Sequence, residues 1–207
     1  MIDATVFLID DDASVRDSLS LVLSLQGMRT QLFATAEAFL ETYRPDWRGC
    51  VLTDLQMPGM SGLDLQQALR DRGISLPVVV LTAHGDVSTT RLAMKRGAFD
   101  FLEKPIDDGI LLDVLQNAIR EDTMRHDAQR TEHVARSRIE RLTPRERDVL
   151  HLLVEGLSQR QIAGRLEISP RTVEVYKARM MEKLQCRSVA EVVRTAIAAT
   201  RDGSMES

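Results

Sequence analysis

Short apolar runs punctuate the first 120 residues, and each one ends on a polar or charged side chain. Val6-Phe7-Leu8-Ile9 runs into Asp10, Asp11 and Asp12; Cys50-Val51-Leu52-Thr53 ends at Asp54; Val78 to Leu81 ends at Thr82; and Asp100-Phe101-Leu102-Glu103 ends at Lys104. Unbroken apolar runs of this length are the pattern of strands buried on both faces of a parallel sheet. Met28 to Phe33 is a weaker run, expected near a sheet edge. Helix-period patterns fill the intervals: Val15, Leu19, Val22 and Leu23; Ala36, Phe39 and Leu40; Leu63, Leu65, Ala68 and Leu69; Leu92 and Met94; Leu111, Leu112, Leu115 and Ile119. Five strands, each followed by a helix, predict a doubly wound (βα)5 α/β domain over residues 4–120.

The pattern then changes twice. Residues 121–141 are densely charged, with Met124, Val134 and Ile139 as sparse apolar positions and no Gly or Pro, which predicts a helical linker rather than a flexible coil. Residues 142–203 contain no strand-like run and predict an all-α domain of four helices. Thr143-Pro144-Arg145-Glu146 is a capping box with Pro at the first helical position, and Ser188-Val189-Ala190-Glu191 is a second capping box. Between them, Ser158 caps a short helix with Ile162, Ala163 and Leu166 inward, and Pro170 opens another running to about Leu184. Two short helices around the tight Glu167-Ile168-Ser169 turn fit a helix-turn-helix. On helix pattern alone, a small bundle with a solvated basic face fits equally well.

Composition narrows the class. The 207 residues are 43% hydrophobic and 28% charged, with 11 Gly and 6 Pro, which excludes collagen-like and wholly disordered chains. No apolar run approaches the roughly 20 residues that cross a bilayer, and the opening MIDATVFLID has no cationic stretch ahead of a cleavable apolar one. Cys50 and Cys186 are two distant thiols, as suits a reducing compartment, so a cytoplasmic location without membrane association is expected. The formal charge of −4 divides unevenly. Residues 1–120 carry 17 acidic against 11 basic groups, whereas Ser158 to Arg187 carries seven basic against three acidic. That asymmetry points to two units with different partners.

In a parallel sheet the carboxyl ends of the strands share one edge, so Asp10, Asp11, Asp54, Thr82 and Lys104 are expected to converge there. Strand-end caps and solvated charges would account for any one of the aspartates; five such residues on one edge favour a site. Clustered carboxylates repel unless compensated, and a hard cation with oxygen ligands such as Mg²⁺ would compensate them. Lys104 and Thr82 would supply a cation and a donor to phosphoryl oxygens. The chemistry suited to this set is attack of a carboxylate on phosphorus, with Asp54 as nucleophile opposite the Asp10/Asp11 pair. A Mg²⁺-dependent phosphatase or phosphotransferase working through an aspartyl intermediate is a rival, although no insertion is long enough to form a substrate-covering cap.

The words Val6-Phe7-Leu8-Ile9-Asp10-Asp11-Asp12, Asp54-Leu55-Gln56-Met57-Pro58-Gly59, Thr82-Ala83 and Lys104-Pro105 resemble the receiver domain of two-component response regulators. The resemblance covers roughly residues 4–120. It implies that Asp54 accepts a phosphoryl group from a sensor histidine kinase, and that Asp11, Asp54 and the Gln56 carbonyl ligate Mg²⁺ while Asp10 acts through water. It further implies that Thr82 and Lys104 hold the phosphoryl oxygens, that Lys104–Pro105 is cis, and that Thr82 and Phe101 form the switch. In such a switch the hydroxyl moves toward the phosphate and the ring turns inward. Gln56 and His84 sit where the family tunes dephosphorylation, and His84-Gly85-Asp86-Val87 resembles the FixJ-type branch.

Leu142-Thr143-Pro144-Arg145-Glu146, Gly156-Leu157-Ser158, Gln161-Ile162-Ala163 and Ile168-Ser169-Pro170-Arg171-Thr172-Val173-Glu174-Val175-Tyr176 resemble the LuxR-type DNA-binding domain. That resemblance implies that Glu174, Val175 and Ala178 face the DNA groove. Arg171, Thr172, Lys177 and Arg179 are expected on the phosphate backbone. Glu174 and Ala178 replace Lys residues found in some relatives. Together the two resemblances imply a transcription factor switched by phosphorylation, with promoter DNA, a phosphorylation-dependent second copy of itself and RNA polymerase as further partners. Its only catalysis would be of its own phosphorylation and dephosphorylation.

Overall fold

The computed structural model of the chain describes residues 4–83, 91 and 93–199, and the chain divides into two compact units between Arg125 and His126. The first unit runs β1 (Thr5–Ile9), α1 (Ala13–Leu25), β2 (Arg29–Phe33), α2 (Ala36–Thr42), β3 (Gly49–Asp54), α3 (Gly62–Asp71), β4 (Val78–Thr82) and β5 (Asp100–Glu103). The helix α4 (Asp108–Glu140) then contributes residues to both units. Among the described residues the sheet is five-stranded in the order β2-β1-β3-β4-β5, with all four pairings parallel. β2 lies at an edge, as its weak apolar pattern predicts. The chain steps outward from β1 to β2 and returns to β3 on the other side of β1. The strand order therefore reverses between β1 and β3, where a crevice opens at the carboxyl ends.

Both sheet faces are covered, which is why the strands are apolar throughout rather than alternating. On one face Phe7, Ile9, Val51, Val78 and Val80 pack with Phe39 of α2 and with Leu65 and Leu69 of α3. On the other Val6, Leu8, Cys50, Leu52, Val79, Leu81 and Leu102 pack with Leu23 of α1 and with Leu111, Leu115 and Ala118 of α4. Each fully buried Leu, Ile or Phe stabilises by about 1.5–3 kcal/mol relative to exposure, so these two layers hold the sheet that carries the site. Asp12 is the N-cap of α1, accepting the Ser14 N–H at 2.8 Å, which gives the third aspartate of the acidic run a structural task.

One inward position was misjudged in phase. Met94, expected on a buried helix face, is 49% exposed, and its neighbour Ala93 is the buried residue. Two apolar residues were too few to fix the phase of a 3.6-residue repeat, and the small Ala takes the position against the sheet. Leu92 lies outside the described residues, as does His84.

In the second unit α4 is followed by α5 (Pro144–Val154), α6 (Gln159–Leu166), α7 (Pro170–Leu184) and α8 (Val189–Ala199). Leu142, Leu150, Met180, Leu184, Val192 and Ala196 form one core cluster, and Val149, Leu152, Ile162, Ala163 and Val173 form another. The Thr143 capping box is complete: Thr143 N–H donates to Glu146 Oε2 at 2.8 Å, and Glu146 N–H donates to Thr143 Oγ1 at 3.4 Å. The expected box at Ser188 is half formed. Ser188 Oγ accepts the Glu191 N–H at 3.2 Å, but the Glu191 carboxylate turns to the Arg187 N–H at 2.6 Å, one residue earlier than a reciprocal box requires.

Candidate functional site

Three charged groups from three strand ends meet at the crevice between β1 and β3. Asp10 follows β1, Asp54 closes β3 and Lys104 follows β5. Side-chain alternation sends Asp54 to the side of Cys50 and Leu52, the face that α1 and α4 cover. Asp10 is 2% exposed and Asp54 8%. The Lys104 ammonium donates to Asp54 Oδ1 at 2.6 Å and to Asp10 Oδ2 at 3.0 Å, bridging the two carboxylates. Burial draws the Lys104 pKa down, and the hydrogen bonds to Asp54 and Asp10 more than reverse this, leaving the ammonium above its ordinary value.

The other oxygens are held by the backbone. Asp54 Oδ2 accepts the Gln56 N–H at 2.8 Å, and Asp10 Oδ1 accepts the Asp12 N–H at 2.9 Å. Thr82 is buried at the end of β4, and its carbonyl accepts the Lys104 N–H at 2.7 Å, tying the lysine's backbone to the neighbouring strand. Phe101 is half-buried and aligned with Val80, so it lies diagonally behind Thr82 on the same sheet face. The Lys104–Pro105 peptide is cis.

In the second unit α6 ends at Glu167 in a left-handed conformation, φ 55°, and the chain turns through Ile168 to Ser169, which caps α7 through the Thr172 N–H at 3.1 Å. Val173, Met180 and Leu184 bury the inner face of α7. Arg171, Glu174, Val175 and Ala178, spaced by three and four, lie on the outer face and are exposed; Val175 is a 44% exposed apolar side chain. Arg179 is exposed, Lys177 and Thr172 are half-buried, and the Thr172 hydroxyl shares a hydrogen bond with Ser169 Oγ at 2.8 Å. A helix with an exposed outer face of mixed charged and small apolar residues, docked behind a tight turn, is the geometry that enters a major groove.

Residues 6–116 match the response regulator receiver domain family, and residues 140–196 match the family described as bacterial regulatory proteins, luxR family. The chain is 42% identical over 197 residues to the transcriptional regulatory protein FixJ of Bradyrhizobium diazoefficiens, covering 94% of this chain and 95% of that one. It is 46% identical over 198 residues to FixJ of Azorhizobium caulinodans, covering 94% and 92%. The chain is a two-component response regulator of the FixJ type. Among solved structures it resembles the response regulator StyR, with a TM-score of 0.83 at 41% identity over 94% of this chain and 98% of that one. Full-length FixJ from B. japonicum matches with a TM-score of 0.59 at 40% identity, covering 95% and 97%. The fold is the receiver fold followed by a helical LuxR-type DNA-binding domain, and no described helix is long and apolar enough to cross a membrane.

Not every residue expected in the response regulator's site is gathered there. Asp10, Asp54 and Lys104 meet, with the Gln56 N–H beside them. Asp11 is exposed and stands outside the ion-pair set, and among the described residues no three acidic, imidazole or thiol groups form a metal-ready cluster. Asp10 directly follows β1 and turns into the crevice, whereas Asp11 lies one residue further past the strand end and is exposed, so two carboxylates rather than three share the ion pair. The donor chemistry still fits Mg²⁺: the acceptor atoms that meet there are carboxylate oxygens, two carboxylates share one ammonium, and the ion needs one or two carboxylates beside water and phosphate.

Some residues carry structure that the sequence did not signal. Arg16 donates to the Asp10 carbonyl at 2.6 Å and to the Asp11 carbonyl at 3.1 Å, pinning the acidic loop from one turn into α1. Lys183 donates to the nearly buried Glu146 at 2.6 Å, joining α7 to α5. A helix-period argument cannot find a pair 37 residues apart; only the buried acid in the capping box hinted that Glu146 needs a cation.

Proposed function

We propose that Asp54 is the phosphoacceptor of this response regulator and that its phosphorylation shifts the receiver and promotes dimerisation and promoter binding. Response regulators are phosphorylated by sensor kinases and bind promoter DNA. The observation that carries the assignment is the state of the Asp54 carboxylate: nearly buried at the crevice, oriented by the Gln56 N–H and paired with Lys104. Each carboxylate oxygen has two lone pairs, so Oδ1 keeps one for attack while Lys104 occupies the other. Attack on the phosphorus of a phosphohistidine forms the Asp54 O–P bond and breaks the P–N bond, and the imidazole leaves. Lys104, already within reach of Oδ1, then pairs with a phosphoryl oxygen, and the Thr82 hydroxyl donates to another.

Asp10, Asp11, Asp54 and the Gln56 carbonyl would hold Mg²⁺, with Asp10 acting through water. When bound, the ion neutralises charge on the transferring phosphoryl oxygens. Thr82 and Phe101 share one sheet face, so withdrawing the hydroxyl toward the phosphoryl group frees room for the ring to turn inward. Gln56 flanks the site and is exposed, a position from which it sets access of hydrolytic water. The chain thus catalyses its own phosphorylation and dephosphorylation.

In the second unit Glu174, Val175 and Ala178 face base edges, and Arg171, Thr172, Lys177 and Arg179 take the backbone. The mild positive charge of Ser158 to Arg187 makes one copy a weak binder, and a pair of receivers presenting two copies supplies affinity. The working division is receiver 4–120, helical linker 121–141 and DNA reader 142–203, in the cytoplasm, with a sensor histidine kinase and RNA polymerase as partners. The test is Asp54→Asn with a small phosphodonor and Mg²⁺. The expected outcome is loss of acid-stable, base-labile phosphate; a mutant that still incorporates it has another nucleophile.

A further inference from the structure

We propose that Arg138, in the helix that precedes the DNA reader, is a positioning residue for DNA recognition that holds the carboxyl end of α7. Its guanidinium donates through one Nη to the Leu184 carbonyl at 3.2 Å and through the other to Gln185 Oε1 at 2.7 Å. Leu184 is the last residue of α7, and Gln185 is its C-cap in a left-handed conformation, φ 56°. The final carbonyls of a helix lack partners within it and carry the negative end of its dipole, so a cation there is favourable. A non-glycine residue in the left-handed region carries a steric cost that the backbone bonds of the turn, Gln185 N–H to Glu182 and Cys186 N–H to Met181, share with any outside support. Arg138 supplies that support to both the backbone and the side chain of the turn.

The same helix repeats the arrangement: two residues earlier, Arg136 donates to the carbonyl of Ala199, the last residue of α8, at 3.2 Å. Ala135 is buried and Ile139 packs against the cluster that contains Met180 and Leu184. Residues 135–139 of the linker therefore belong to the second compact unit. The outer face of α7 can read base edges only if its rotation and end point are fixed, since displacements near 1 Å break bidentate contacts. One N–H of each Arg138 Nη goes to a protein acceptor at the end of α7, and the salt slope separates this positioning role from a phosphate contact. The side chain borders an open groove of about 550 Å³, lined also by Arg130, Thr131, Val134, Arg194 and Thr195, so truncation admits water rather than leaving a dry void.

The inference rests on α7 reading DNA. The experiment uses the full chain treated with a small phosphodonor and Mg²⁺, a duplex that the wild type selects from a random pool, and a shuffled duplex of equal composition. Arg138→Ala is expected to weaken binding to the selected duplex about tenfold, with little change on the shuffled one and an unchanged salt slope. Arg138→Lys recovers part of the loss, because an ammonium reaches one acceptor and not both. In a Gln185→Ala background, Arg138→Ala costs less than in the wild type, since half of its anchorage is already gone. If Arg138→Ala does not fold, Gln185→Ala alone carries the test with a smaller loss of selectivity. Unchanged affinity per folded molecule would reduce Arg138 to a stabilising residue, and a salt slope smaller by about one would make it a phosphate contact; either overturns the proposal. A wild-type chain that selects no duplex removes the DNA-reading role and the proposal with it.

Discussion

The acidic sheet edge and the outer face of α7 are built on opposite plans. At the edge, Lys104 reaches back 94 positions to Asp10 and 50 to Asp54, and both carboxylates are nearly buried. On α7, the residues from Arg171 to Arg179 are neighbours in sequence, and most of them face water. Groups that share hydrogen bonds inside a buried set respond together to a disturbance, whereas exposed charges respond one by one and are screened by salt. The receiver site should therefore fail through changes in packing that touch none of its functional groups. The reader should lose affinity in increments that track charge.

The sharpest way to break that contrast is a methyl group. Gly62 opens α3 directly under the end of β3, and a Cβ there would stand 2.4 Å from the Asp54 carbonyl oxygen and 3.2 Å from Thr53 Cγ2. No flexible side chain can yield at the first contact, since it is backbone. Gly62→Ala should cost the receiver about 1–3 kcal/mol and shift the Asp54 carboxylate away from Lys104. The expected result is slow phosphate incorporation and an earlier unfolding transition for the first unit by calorimetry, with the second unit's transition unmoved. A variant that matches the wild type in both rate and stability would show that the edge is less tightly packed than its burial implies.

The matching change in the reader acts through charge. Lys177→Ala together with Arg179→Ala should lower the slope of log affinity against log salt by about two and weaken binding to all duplexes alike, while the helix stays folded. Selectivity between a preferred and a shuffled duplex should be nearly untouched. If selectivity collapses while the slope holds, these two side chains read bases, and the division between backbone and base contacts on α7 must be redrawn.

Most of the receiver was legible because two-faced burial writes itself as unbroken apolar runs, and the residue after each run must then fall on one edge. Asp10, Asp54 and Lys104 meet at that edge, Thr82 closes the neighbouring strand, and β2 with its weaker apolar pattern lies at the sheet margin. Asp11 lies two residues past the end of β1 and is exposed, where position along a strand no longer fixes the direction of a side chain. Too few apolar residues marked a face around Met94, which is exposed while Ala93 is buried. In the second unit the Thr143 capping box marks the start of α5 and Ser158 the start of α6, whereas the Ser188 box is half formed because the Glu191 carboxylate goes to the Arg187 N–H, a choice that spacing does not encode. Arg16, Arg138 and Lys183 were invisible for one shared reason. A long cationic side chain on a polar helix looks solvated until the backbone carbonyl or buried acid it reaches has been placed.

Glu146 gives the smallest and most specific test of the contrast, since it is a buried acid inside the unit otherwise governed by exposed charge. Burial raises its pKa, but the hydrogen bonds from Lys183 and from Thr143 outweigh burial and leave it below the ordinary glutamate value of 4.5. A carboxyl group whose folded pKa is depressed adds stability that is fully present above its unfolded value and disappears as pH falls through the folded one. The Lys183 side chain is 35% exposed, so solvent screening holds the contribution to about 1 kcal/mol or less. Glu146→Gln keeps an acceptor for the Thr143 N–H and removes only the charge. Its second-unit transition should lie a few degrees below the wild type at pH 7, and the gap should close as pH falls through and below the ordinary carboxylate range, where the wild-type group protonates. A gap that is constant from pH 7 to pH 3 would mean that Glu146 acts as a neutral cap, and that ion pairing contributes nothing to joining α7 to α5.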